Sequence, residues 1–282
     1  MTTDNKSNNN LVLEIEPLQN INGVIATLCL NRPEVGNALN AVLIADFHQA
    51  LDELDELPVR LLILKASGKH FCTGADLSWM REAKEFSEEE NRLDAQQLAQ
   101  LIQRIDLFPA PTMAVVQGAA YGGAIGLISA CDIALASESA RFCLSEVKLG
   151  LIPAVISPYV IRAMGEHQAR RYFLTTEIIS SRQAQQLNLI HEHCHEDKLN
   201  DTAQMLCEQI LHNAPLAMAA AKELIRYVNN KTIDESLINH TCEIIANIRI
   251  SEEGQEGLSA FLDKRPPKWK AGNPLAVEKH HD

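Results

Sequence analysis

Two glycine turns hold the residues of this 282-residue chain whose types and spacing best suit chemistry. One follows the apolar run at 112–117 and reads Gly118-Ala-Ala-Tyr-Gly122-Gly123-Ala-Ile-Gly126. A strand that runs through a glycine turn into a helix aims free backbone N–H groups, and the positive end of the helix dipole, at any anion above it. The other turn lies upstream, in Lys69-His-Phe-Cys-Thr-Gly74-Ala75-Asp76-Leu77-Ser78-Trp-Met80. Two such turns can share one ligand oxygen. A third loop, Ser145-Glu146-Val-Lys-Leu-Gly150, places a carboxylate at the end of a predicted β segment.

Each feature also has a purely structural reading. Glycines at a strand–helix junction often only permit a tight turn or close packing. The middle glycine of a dinucleotide fingerprint is missing, so that reading is excluded. Asp76, directly before Leu-Ser-Trp-Met, reads as a helix N-cap rather than an acid. Arg32 at a strand end reads as solvated, with phosphate contact as the alternative. His191, His193 and His195 share one face of a strand, opposite Cys194. No carboxylate or cysteine completes a ligand pattern there, so no required metal is expected. Trp79, Met80 and Trp269 read as packing residues.

The elements that must position these loops alternate. Leu11-Val-Leu-Glu-Ile-Glu, a turn at Asn20-Ile-Asn-Gly23 and the run at 24–30 predict a hairpin. Leu43, Phe47, Leu51 and Leu54 mark a helix, and residues 59–66 a buried strand. Ser87 with Glu90 forms a capping-box pattern ahead of Leu98, Leu101, Ile102 and Ile105. Strand 112–117, helix 123–130, strand 132–137 and a short β segment at 140–144 follow. This is an α/β chain with crossovers that favour parallel pairing. After about residue 195 only helical patterns remain, at 196–212, 215–228, 233–250 and 253–263, then a basic proline-rich end.

Composition sets the outer bounds. A chain with 46% hydrophobic and 22% charged residues has ample core for one large domain and an appendage. The net charge of −12 argues against nucleic-acid and anionic-membrane partners. Seven scattered cysteines without a Cys-x-x-Cys pair fit a reducing cytoplasm and give no disulfide framework. Residues 1–10 are polar and read as a disordered tail, neither secretory nor targeting. No run approaches the roughly twenty apolar residues of a membrane span.

Taken together, the three loops, Leu30-Asn-Arg-Pro33 with Asn37-Ala-Leu39, Cys131-Asp132-Ile133, Leu149-Gly-Leu-Ile-Pro153 and Gly257-Leu-Ser-Ala-Phe261-Leu-Asp-Lys264-Arg resemble the crotonase superfamily of enoyl-CoA hydratases and isomerases. The likeness covers residues 11–265. It implies a crotonase (ClpP-like) spiral of ββα units over 11–200 and a helical C-terminal trimerisation region over 201–282, assembling as a homotrimer or a dimer of trimers. It implies an acyl-CoA thioester as substrate with no separate cofactor. The backbone N–H groups of Ala75 and Gly123 would bind the thioester oxygen, and Glu146 would move the proton at the α-carbon. Lys69, Ala75, Asp76, Leu77, Ser78, Gly122, Gly126, Phe261 and Lys264 would contact substrate or CoA, the last two across a subunit boundary. Gly126 stands where many hydratases place a first catalytic glutamate, which leaves hydration and double-bond isomerisation both open. The stretch 144–159 is similar to bacterial methylglutaconyl-CoA and γ-carboxygeranoyl-CoA hydratases, where glycine also stands at that position. Ala154-Val-Ile-Ser157 adds volume where many relatives have glycines, which implies a reshaped acyl pocket.

Overall fold

The computed structural model describes residues 4–7, 10–19 and 21–270. β1 (Asp4–Ser7) lies in the stretch expected to be a disordered tail, yet its backbone pairs antiparallel with β2 (Leu11–Pro17). Ladder hydrogen bonds use only main-chain groups, so a polar edge strand forms without an apolar pattern to announce it. β2 and β3 (Val24–Leu30) make the predicted hairpin, with Leu13 opposite Leu28.

Strand and helix then alternate: α1 (Ala41–Asp55), β4 (Val59–Ala66), α2 (Leu77–Ala83), α3 (Glu88–Asp106), β5 (Thr112–Val116), β6 (Ala119–Tyr121), α4 (Gly123–Ala130), β7 (Ile133–Ser137) and β8 (Arg141–Cys143). Next come α5 (Ser157–Met164), α6 (Glu166–Thr175), β9 (Ile179–Ser180), α7 (Ser181–Gln186), β10 (Glu192–Cys194) and α8 (Leu199–Leu211). The described chain ends in α9 (Pro215–Val228), α10 (Glu235–Ile250) and α11 (Glu252–Leu262). Local chemistry sets several starts. The Asn40 side chain accepts from the Leu43 N–H to open α1, and the Ser87–Glu90 capping box opens α3.

The main sheet has the order β1-β2-β3-β4-β5-β7-β10 and is parallel from β3 onward. Every residue of β5 is buried, as a central strand covered on both faces must be. One face packs against Phe47 and Leu51 of α1, Leu101 and Ile105 of α3 and Leu127 of α4. On the other, Leu61, Met113, Val115 and Leu135 meet Leu199, Ala203, Cys207 and Ile210 of α8. The expected boundary at 200/201 therefore falls inside a helix that belongs to the core. The helical appendage begins at α9.

A second, three-stranded sheet, β6-β8-β9, stands beyond the ends of β5 and β7. β8 lies within the short β segment expected at 140–144, whereas β6 and β9, of three and two residues, are too short for any periodicity to announce them. The helices after the core are mostly uncovered. α9 buries no side chain, α10 only Leu237 and α11 only Ala260. Among the described residues no helix is long and apolar enough to cross a membrane.

Candidate active site

The small sheet is what gathers the three loops. Cys72 bridges Ala120, and Ala120 pairs with Phe142, so one rung runs across segments 72, 120 and 142. The Cys72 N–H donates to the Ala119 carbonyl (3.0 Å), and the Tyr121 N–H to the Cys72 carbonyl (3.0 Å). The Gly122 N–H donates to the Cys143 carbonyl (3.0 Å) on the other side. A few residues past that rung stand Ala75, Gly123 and Glu146. Backbone pairing therefore brings three distant pieces of sequence to one place at one level.

Ala75 is held by a further parallel bridge to Leu39: the Leu39 N–H donates to the Gly74 carbonyl and the Asp76 N–H to the Leu39 carbonyl, both at 2.8 Å. That pairing leaves the Ala75 N–H itself without an acceptor among the described residues. Gly123 opens α4, so its N–H has no partner within the helix. Gly122 before it has φ 55° and ψ −123°, a conformation that only glycine adopts without strain. Two N–H groups without acceptors among the described residues, one of them at the positive end of a helix dipole, thus lie within a few residues of the same rung.

Glu146 begins a single 3-10 turn, Glu146–Leu149, closed by Gly150. A Cβ added to Gly122 would lie 3.2 Å from Glu146 Oε1, so the carboxylate sits directly beside the turn. Its Oε2 is buried and has no hydrogen-bond partner among the described residues. Burial pushes the Glu146 carboxyl above the usual carboxylate range. A half-buried acid with an idle oxygen, beside the Gly122-Gly123 turn, has the chemistry to give or take a proton.

The remaining expectations divide. Asp76 is the N-cap of α2, accepting from the Ser78 N–H (2.9 Å) and hydroxyl (2.6 Å), and its other oxygen pairs with Arg32 at 2.8 Å. These bonds hold its carboxyl at about 2, led by the Ser78 hydroxyl. Arg32 is therefore not the solvated side chain expected. It also donates to the Ala38 carbonyl and ties the Leu39 segment to the Ala75 turn. Lys69, Leu77 and Ser78 are exposed around that turn. Phe261, 83% exposed, and Lys264 stand on the helical appendage, where α11 packs on α9 and α10.

Gly126 is the clearest departure. It is buried, and a Cβ there would lie 2.3 Å from Ile156 Cγ2 and 3.0 Å from Ile102 Cδ1. No side chain fits at this position, so Gly126 serves packing and is not a wall of the site. The histidines separate as well. His191 Nδ1 accepts from the Ala134 N–H (3.0 Å), while His195 approaches Asp197 (3.5 Å). Cys131-Asp132-Ile133 is structural: Asp132 accepts from Thr112 N–H (2.8 Å) and Lys222 (2.7 Å), tying the end of α4 to β5 and α9. Leu39 and Leu98 flank Gly123, at 2.8 and 3.6 Å from a Cβ placed there. Only the Leu98 helical spacing hinted at this in the sequence.

The chain itself matches a known family. The enoyl-CoA hydratase/isomerase family model matches residues 20–272, and the chain belongs to that family. The 2,3-dehydroadipyl-CoA hydratase of Escherichia coli is 32% identical over 87% of this chain and 95% of its own length. The enoyl-CoA isomerase/hydratase fer4 of Mycosarcoma maydis is 34% identical over 85% of this chain and 90% of its own. Among solved structures, an enoyl-CoA hydratase from Shewanella pealeana superposes with a TM-score of 0.86 at 48% identity, covering 91% of this chain and 95% of that one. The fold is accordingly the crotonase fold, with a helical C-terminal region.

Proposed function

We propose that this protein is an enoyl-CoA hydratase-type lyase that adds water across the α,β double bond of an acyl-CoA thioester. The thioester oxygen accepts from the Ala75 and Gly123 N–H groups, whose value rises as the oxygen gains enolate charge. Glu146 supplies the proton to the α-carbon. The observation that carries this reading is the idle, buried Oε2 of Glu146 beside the Gly122-Gly123 turn, with the Ala75 and Gly123 N–H groups lacking acceptors among the described residues. Lys69 and the Ala75–Ser78 turn are the proposed CoA contacts on this subunit, with Phe261 and Lys264 reaching a neighbour in a trimer or a dimer of trimers. The likeness of residues 144–159 to methylglutaconyl-CoA-type hydratases supports a branched, carboxylated acyl group.

A second reading, a double-bond isomerase with Glu146 as sole base, draws support from Gly126, whose packing leaves no carboxylate there. Turnover in H₂¹⁸O separates the two. A hydroxyacyl-CoA carrying the label supports the lyase, and a shifted double bond with no label overturns it. An acyl-CoA-binding protein without chemistry is the third possibility. Glu146→Gln that abolishes turnover while CoA affinity is retained counts against it.

A further inference from the structure

α3 crosses α4 in a register that reaches beyond the site's backbone donors. Ile102 lies against Gly126 and Leu98 against Gly123, 3.0 and 3.6 Å from Cβ atoms placed there. Stepping back along α3 therefore moves from the interior of α4 to its first residue. Asp94 comes one turn earlier, at i−4 from Leu98 and on the same face, about 6 Å further along the axis. The register therefore carries Asp94 towards the N-terminal side of α4, the side to which the Gly123 N–H points. Residues 88–97 are all exposed except Asp94, which is partly buried. Trp79 of α2, the helix that starts just after Ala75, donates its indole N–H to Asp94 Oδ1 at 3.0 Å. The other oxygen accepts from no described residue. Burial raises the Asp94 carboxyl, as it does that of Glu146.

We propose that Asp94 is the second carboxylate of this site, holding and deprotonating the water that adds to the β-carbon while Glu146 protonates the α-carbon. This rests on the lyase reading above. The water O–H proton passes to Asp94 as the new C–O bond forms at the β-carbon. The π electrons move to the thioester oxygen, as an enolate held by Ala75 and Gly123. The enolate then takes the Glu146 proton at the α-carbon, and a proton moving from Asp94 to Glu146 through solvent resets the pair. Trp79 keeps the Asp94 carboxylate turned inward and favours its ionised form.

Two readouts test this. Hydration of crotonyl-CoA needs both carboxylates, whereas deuterium exchange at the α-carbon of butanoyl-CoA in D₂O needs only Glu146 and the two N–H donors. Asp94→Asn is expected to lower the hydration kcat by about 10²–10³-fold and to retain α-exchange. Trp79→Phe is expected to lower hydration less than Asp94→Asn, again with exchange retained. Wild-type hydration in Asp94→Asn, or a parallel loss of hydration and exchange, overturns the proposal. A native chain that exchanges without hydrating also overturns it, leaving Ala75, Gly123 and Glu146 in place. A native chain that does neither, and that also fails to hydrate a branched, carboxylated enoyl-CoA such as 3-methylglutaconyl-CoA, removes the lyase reading itself.

Discussion

Burial makes ionisation of a carboxylate costly, and it raises the Glu146 carboxyl above the usual carboxylate range, the direction that the proposed general acid needs. The amide in Glu146→Gln keeps the shape and removes the proton, so turnover should fall by about 10²–10⁴-fold with an unchanged melting temperature. Because the group is raised and acts protonated, activity should decline as pH climbs through its pKa, on a limb lying above the ordinary carboxylate range. A pH–rate profile checks this. Asp76 is the opposite case: depressed to about 2 and committed to Ser78 and Arg32. Its contribution to stability is present above its unfolded pKa and is lost as pH falls towards about 2. Asp76→Ala should cost about 1–2 kcal/mol at pH 7, with the gap to wild type narrowing in denaturation at pH 3.

At the scale of elements, α4 is clamped from two sides, by Ile102 of α3 and by Ile156 at the entrance to α5. The segment between Glu146 and Ile156 makes its backbone bonds within itself, such as Leu151 N–H to the Glu146 carbonyl (3.1 Å) and Ser157 N–H to the Ala154 carbonyl (3.2 Å). Packing of Ile156 into the space above Gly126 is therefore what seats this segment on α4. Gly126→Ala improves helix propensity but drives a methyl into Ile156, so a net loss of about 1–3 kcal/mol is expected. Adding Ile156→Ala should recover part of that loss. The double-mutant cycle, read by urea denaturation, should show a coupling of about 0.5–3 kcal/mol.

The whole molecule pairs a fully covered core with a scarcely covered appendage. Ile225, Ile233, Ile250, Phe261 and Leu262 are 67–83% exposed on or beside α9, α10 and α11. Apolar area of this kind, spread over three helices, is what an interface between copies would bury. The proposed trimer or hexamer predicts sedimentation at a multiple of the 31.2 kDa chain mass. Ile250→Asp should shift the population towards monomer and weaken acyl-CoA binding, if Phe261 and Lys264 serve a neighbouring site. A monomer with full CoA affinity in both forms would remove the shared-site arrangement.

The strands and helices with strong patterns were legible in the chain itself. β4 at 59–66, α4 at 123–130 and α9 at 215–228 follow from periodicity and punctuation. The Ser87 cap and the Asp76 cap follow from the competition of short polar side chains for free N–H groups. The glycine turns and Glu146 could be named from local residue types and family likeness. Their meeting was implied by that likeness alone; β8 lies in the expected β segment at 140–144, but β6 and the Cys72–Ala120 bridge that complete the pairing are too short to leave a pattern. The fate of Gly126 was likewise undecidable, since an absent side chain takes its meaning from what fills the space, here Ile156 and Ile102. Sequence determined which groups were available for chemistry. Tertiary packing decided which distant segments pair beside Ala75, Gly123 and Glu146, because bridges and side-chain contacts between such segments leave no periodic trace in any one of them.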